Sequence, residues 1–398
     1  MINPSANGWI DKFFAENQTN FIDFQGDYLS FYEDCRATGF IYGYVVNFQL
    51  KNQINTNKWS YDEIIKVGFI NTLYSIYALQ NASPKSEDFI KSVYQFYSII
   101  QPENLNFIKK LLPEGSHGSR LEKVIDDRIQ TNQNSISKNF SHIITNALLF
   151  IDVLAFHYFI KNGELPSDYL KNVESDCIKV VALALNIKQN KSKYDELLVK
   201  LFENSIRYTK FTSIENIEFS DLKLNRYPDL LEKLYLLDIA QMALWSDEKL
   251  EQQEVTFLEN LTNDSKLNKV ILDKSIVDID YFIKKYKHEI PFFNYSNPIK
   301  HFYDQANKNV TKLIIRNKDR LTKEIKESGE LMQLLAKSTT KDLSKEEKKK
   351  VKKQLLDVCK TIPSLTIFLL PGGSLLLPIL IKFIPQLLPS AFNENLDD

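Results

Sequence analysis

Between Lys360 and Lys382 the chain carries no charge for 21 residues, yet this interval holds Pro363, Pro371, Pro378 and the pair Gly372-Gly373. A helix of that length is about 30 Å long, the thickness of a bilayer's hydrocarbon core. Each proline costs about 3 kcal/mol in an isolated helix, but less in a membrane, where neighbouring groups satisfy the freed carbonyls. One crossing broken at Pro371-Gly372-Gly373 is therefore expected, and two full crossings do not fit. A re-entrant hairpin, or a fold-back into the chain's own helices, stays open.

The flanks orient such a segment. Residues 341–360 contain eight lysines and four acids, whereas the NENLDD tail has three acids and no base. An excess of lysine keeps its side of a membrane cytoplasmic, so the large N-terminal part is expected inside. Ser344 and Glu347 have capping-box spacing, which sets a helix start. From there Val351, Leu355, Val358, Cys359 and Ile362 form one apolar stripe.

The remaining 300 or so residues are expected to be helical throughout. Only 11 glycines stand against 26 phenylalanines and 19 tyrosines, which favours long helices with aromatic packing. Trp9, Phe13 and Phe14 would dock a short first helix. FIDFQGDYLSFYEDC, from Phe21, and YDEIIKVGFINTLYSIYALQ, from Tyr61, read as helices, the latter with Ile64, Ile65, Phe69, Leu73, Ile76 and Tyr77 at helical spacing. His117 is expected in an exposed turn. Residues 140–160 lack lysine and arginine, but Asp152 near the middle would cost about 2.5–3.5 kcal/mol in a membrane. They are expected to be a core helix, with His142 and His157 as core or rim histidines. Residues 300–338 read as one or two lysine-rich helices.

Cys35, Cys177 and Cys359 are too scattered for a disulfide framework or a metal pair and read as buried thiols. The N-terminus does not read as a signal peptide. A net charge of -1 argues against a general nucleic-acid-binding surface, though not a local one. No phosphate-binding glycine loop, zinc-protease helix or serine-hydrolase elbow occurs. The chain is expected not to be an enzyme, and no catalytic, cofactor-binding or metal residues are assigned.

Residues 230–264 place Leu234, Leu237, Ile239 and Met242 on a helix, then an SDEK turn in which Ser246 would cap a second helix bearing Phe257, Leu258 and Leu261. This unit is weakly similar to TerB-like helical domains, with Asp247 at their aspartate position and Glu248 in place of their glycine. Asp247, Glu248, Glu251 and Glu254 read as a solvated helix start rather than a cation site. Asp152 matches Asp238 when residues 147–165 are laid on this unit, a loose hint of duplication.

The C-terminal string resembles the LETM family, the leucine-zipper and EF-hand-containing transmembrane proteins. The resemblance rests on Leu343, Ser344, Glu347, Pro363, Pro371, Gly372, Gly373, Pro378, Lys382, Pro385, Pro389, Ser390 and Phe392. Its PGG form is similar to a bacterial LETM-related group labelled biofilm-associated. Together with the helical patterning of the rest, this gives an expected all-α, multi-helix body with a proline-kinked, membrane-associated C-terminal segment. Three regions are expected: 1–135, an N-terminal helical region; 136–290, a bundle with the TerB-like helices; and 300–398, the LETM-like region with apolar segment 361–392.

One proline-rich apolar segment attached to about 300 helical residues reads as a membrane-associated helical scaffold or adaptor at a bacterial inner membrane. Its partners would be membrane lipid and a protein not identifiable from sequence. Two alternatives are potassium or calcium/proton homeostasis, which implies a homo-oligomer because one kinked helix cannot line a pore, and ribosome association. The resemblance also implies that most of a ribosome-binding-like domain would follow Phe392. The family's intramembrane acidic position falls at Gly373 or Ser374, so the exchange reading lacks its relay.

Overall fold

The computed structural model describes residues 2–102, 116–130, 146–188, 217–245, 250–286 and 311–362, with a few single positions elsewhere. The described elements are helical, so the all-α class holds, and among them only an isolated bridge between Phe21 and Leu50 has β pairing. Among the described residues, the α-helices up to residue 286 are α1 (Trp9–Glu16), α2 (Tyr28–Thr38), α3 (Tyr61–Leu79), α4 (Ser86–Ile100), α5 (His117–Gln130), α6 (Phe150–Asn162), α7 (Tyr169–Ile187), α8 (Leu230–Leu244), α9 (Gln252–Asp264) and α10 (Lys269–Tyr286). Three more follow: α11 (Lys318–Glu327), α12 (Gly329–Thr340) and α13 (Lys345–Thr361).

α3, α6 and α8 are apolar around most of their circumference and lie inside, as such helices must. α8 packs along α7 and touches α2, α9 and α10, while α6 lies against α3, α4 and α7. The 140–160 stretch thus contributes a core helix, although its first six residues lie outside those described. His157 is buried there with its ring tilted against Tyr28, and α1 buries Trp9, Phe13 and Phe14 as expected.

Two buried arginine–aspartate pairs lock this body. Asp238 on α8 accepts from Nε and Nη2 of Arg36 on α2 at 2.8 and 3.0 Å. Asp278 on α10 takes the third arginine nitrogen at 3.0 Å. Asp152 on α6 pairs in the same forked way with Arg128 on α5, and Tyr97 donates to it at 2.8 Å. The two aspartates matched in the sequence therefore share a local chemistry: each neutralises an arginine that burial would otherwise make costly.

Several boundaries differ from the sequence expectation, each for a local reason. α2 starts at Tyr28 rather than Phe21, because Gln25 and Gly26 adopt positive φ and Asp27 then caps the helix through Leu29 and Ser30 N–H. His117 opens α5 instead of sitting in a turn; it is exposed and packs edge-on against Tyr94. α9 is capped by the reciprocal Glu251–Glu254 box, and Glu254 is buried rather than solvated. Ser246, Asp247 and Glu248, the TerB-like turn, lie outside the described residues.

At Gly43 the chain approaches another backbone very closely. It has φ +77, and a Cβ there would sit 2.6 Å from the Asn146 carbonyl. Only glycine tolerates both conditions.

Candidate functional site: a lysine face on the C-terminal helical unit

Residues 311–362 form an apolar core of their own. Among the described residues, from 311 on, the lysine-rich stretch is divided into three helical segments rather than one or two: a turn at Asn317 separates 311–316 from α11, and Ser328 separates α11 from α12. The Asn317 side chain donates to Leu313 O at 2.7 Å, competing with continuation of the helix. Leu321 and Ile325 of α11, Leu331 and Leu335 of α12, and Val351, Leu355 and Cys359 of α13 are fully buried together. Burial pushes the Cys359 thiol up to about 12, and all three cysteines are buried and free.

α13 begins where the capping box places it. Ser344 Oγ accepts from Glu347 N at 3.2 Å, and Glu347 Oε2 accepts from Ser344 N at 2.8 Å. Leu343, just before the cap, joins the apolar core. At the other end Arg320 donates to Thr361 O at 2.6 Å, placing a cation on the negative end of the helix dipole. α13 is thus fixed at both ends and along its apolar stripe.

Its polar surface divides into two flanks. Towards α12, Lys350 and Gln354 both donate to Glu330, at 2.9 and 2.6 Å, and Lys337 pairs with Glu347 at 2.6 Å. The Lys350 hydrogen bond holds the Glu330 carboxyl below its usual range. On the other flank Lys345, Lys349 and Lys353 follow one another at i, i+4, with Lys348 and Lys352 in the adjacent row, all exposed. Among the described residues these five form no ion pair; Lys360 turns to Asp357 at 2.6 Å. Like charges at i, i+4 repel by about 0.2–0.5 kcal/mol per pair, so this face is mildly unfavourable until an anion neutralises it.

A polar latch joins this unit to the body. Arg316 forks onto Glu63 of α3 at 2.7 and 2.9 Å and donates to Lys58 O at 3.3 Å, while Lys312 reaches Trp59 O at 3.4 Å. Burial pushes the Glu63 carboxyl up, but the Arg316 fork, Ser5 and Ser60 N–H outweigh it and leave it below its usual value. Sequence reading missed Arg316, Glu63 and Glu330. Glu63 was visible only as a capping-box partner of Ser60, and no spacing rule links residues so far apart.

Of the sequence-assigned motif residues, the structure brings together Leu343, Ser344 and Glu347 at the head of α13. Pro363, Pro371, Gly372, Gly373, Pro378, Lys382, Pro385, Pro389, Ser390 and Phe392 lie outside the described residues, as does nearly all of the apolar segment. Among the described residues, no helix is long and apolar enough to cross a membrane, and no cluster of three or more acidic, histidine or cysteine side chains could hold a metal.

No curated protein and no solved structure matches the chain. A family model does: the one described as LETM1-like, RBD, over residues 343–398. The match starts at the residue before the α13 cap and includes the whole proline-rich run. Residues 343–398 are therefore similar to the LETM1-like RBD, in agreement with the resemblance of their leucine, proline and lysine register.

Proposed function

We propose that this chain is a membrane-associated helical scaffold or adaptor of the LETM-like type, without catalytic activity. One observation carries the reading: the LETM1-like segment opens with a rigidly capped, lysine-rich helix whose end runs directly into 21 uncharged residues. In this reading the apolar segment 361–392 anchors the chain at a bacterial inner membrane. The helical body stays on the cytoplasmic side and presents its surface to a protein partner. The test is carbonate extraction of membranes from cells expressing the full chain. Retention in the pellet is expected, and complete release into the supernatant would remove the reading.

A second reading, ribosome association, is favoured by the RBD description of the matched family and by the lysine face of α13. It predicts cosedimentation with ribosomes that weakens steeply with salt, because lysine–phosphate contacts release counterions. Absence of cosedimentation at low salt would end it.

A further inference from the structure

We propose that the face of α13 formed by Lys345, Lys348, Lys349, Lys352 and Lys353 is a docking surface for the phosphate headgroups of anionic lipid. The inference rests on the membrane-associated reading above and names the chemistry at the contact.

Three observations converge. The five ammonium groups share one flank of a single helix, spanning two turns and a little more, and no acid interrupts the two rows they form. The acids nearest in sequence are otherwise engaged or lie outside the rows: Glu347 is held by Lys337 and the cap, Asp357 by Lys360, and Glu346 lies in the neighbouring row, where its charge acts on Lys350. Finally, the buried stripe, the Glu330 contacts and the Arg320–Thr361 bond fix α13 in orientation, so the lysine rows form one rigid strip.

The flatness of that strip selects among anions. A helix face with lysines in two adjacent rows offers a line of positive charge without a pocket, which suits a plane of many phosphates better than one bound ion. α13 also ends at the start of the uncharged run, so a chain anchored by that run would hold the strip within a few residues of the interface. Lysines so placed each contribute about 1 kcal/mol at an anionic surface, roughly a fivefold gain in partitioning.

The test is flotation of the purified full chain with phosphatidylcholine vesicles, pure or containing phosphatidylglycerol, at low salt and at high salt. Anchoring by the apolar run alone would give equal binding to both compositions. The lysine strip adds a preference for phosphatidylglycerol that salt abolishes. The triple substitution Lys345→Gln, Lys349→Gln and Lys353→Gln should reduce that preference on the order of 100-fold. These positions are exposed and glutamine is as good a helix former as lysine. The matched control, Lys269→Gln, Lys284→Gln and Lys285→Gln on exposed positions of α10, changes net charge equally and should leave the preference intact.

Equal binding of the wild type to both compositions would overturn the inference while leaving the anchor standing. Equal loss in the triple variant and its control would overturn it too, by reducing the effect to net charge. So would a triple variant that keeps its lipid preference but loses salt-sensitive binding to RNA. Failure to bind pure phosphatidylcholine, with the anionic preference retained, would count against the anchor and not against the strip.

Discussion

Arg316 and Glu63 stand 253 positions apart in the sequence and meet in a forked ion pair at 2.7 and 2.9 Å. Glu63 is 1 % exposed and also accepts from Ser5 Oγ and Ser60 N. It thus closes the start of α3 and holds the C-terminal unit to the body at once.

Replacing Arg316 with Met should leave a buried carboxylate without its cation, a change that typically costs about 3–5 kcal/mol. Chemical denaturation and limited proteolysis would check it, with the C-terminal unit becoming the first site of cleavage. Because the Glu63 pKa is lowered in the fold, its contribution is complete above the unfolded carboxylate value and is lost as pH falls through the folded one. The wild type should lose its advantage over Arg316→Met in acid, and a constant difference down to low pH would refute the pair.

The two buried arginine–aspartate pairs should respond unequally to removal of the acid. Asp152→Asn removes the carboxylate that forks onto the buried Arg128 and should cost about 3–5 kcal/mol. Asp238→Asn leaves Arg36 still paired with Asp278 at 3.0 Å and should cost less. Denaturant titration of both variants distinguishes them, and an equal or reversed order would show that Asp278 is no substitute.

His157 gives the body a defined acid sensitivity. Burial lowers its pKa to about 4, although Asp229 lies 3.7 Å from its Nε2, and Gln80 contacts Nδ1 at 2.8 Å. The unfolded chain then binds this proton first. Stability should fall from about pH 6.5 towards pH 4, by about 3 kcal/mol in total. His157→Gln should remove that part of the slope, measured as unfolding free energy against pH. A variant as acid-sensitive as the wild type would place the cause elsewhere.

Ser344→Ala should cost about 1 kcal/mol and act locally. Hydrogen exchange of the first turn of α13 is expected to accelerate, while α3, α6 and α8 stay protected. Unchanged exchange in that turn would mean that the cap contributes nothing to α13.

Local chemistry was legible in the sequence where it acts over three or four residues. The Ser344–Glu347 box, the stripe from Val351 to Ile362 and the aromatic first helix all follow from spacing alone. The burial of Asp152 followed from its apolar surroundings, and its likeness to Asp238 was visible as a pattern. Their partners were not, because Arg36 and Arg128 carry no mark that separates them from surface arginines. Boundaries failed where a backbone detail decided them: positive φ at Gln25 and Gly26, or the amide of Asn317 turned back onto Leu313.

The two arginine–aspartate pairs also differ in when they can form. Arg128 waits 24 residues for Asp152, whereas Arg36 waits 202 residues for Asp238. At about 5–20 residues per second of synthesis, the second interval lasts roughly 10–40 s. For that time α2 carries a guanidinium meant for an interior that does not yet exist. Emergence of α8 from the ribosome is therefore the event that lets α2 settle against its buried partner.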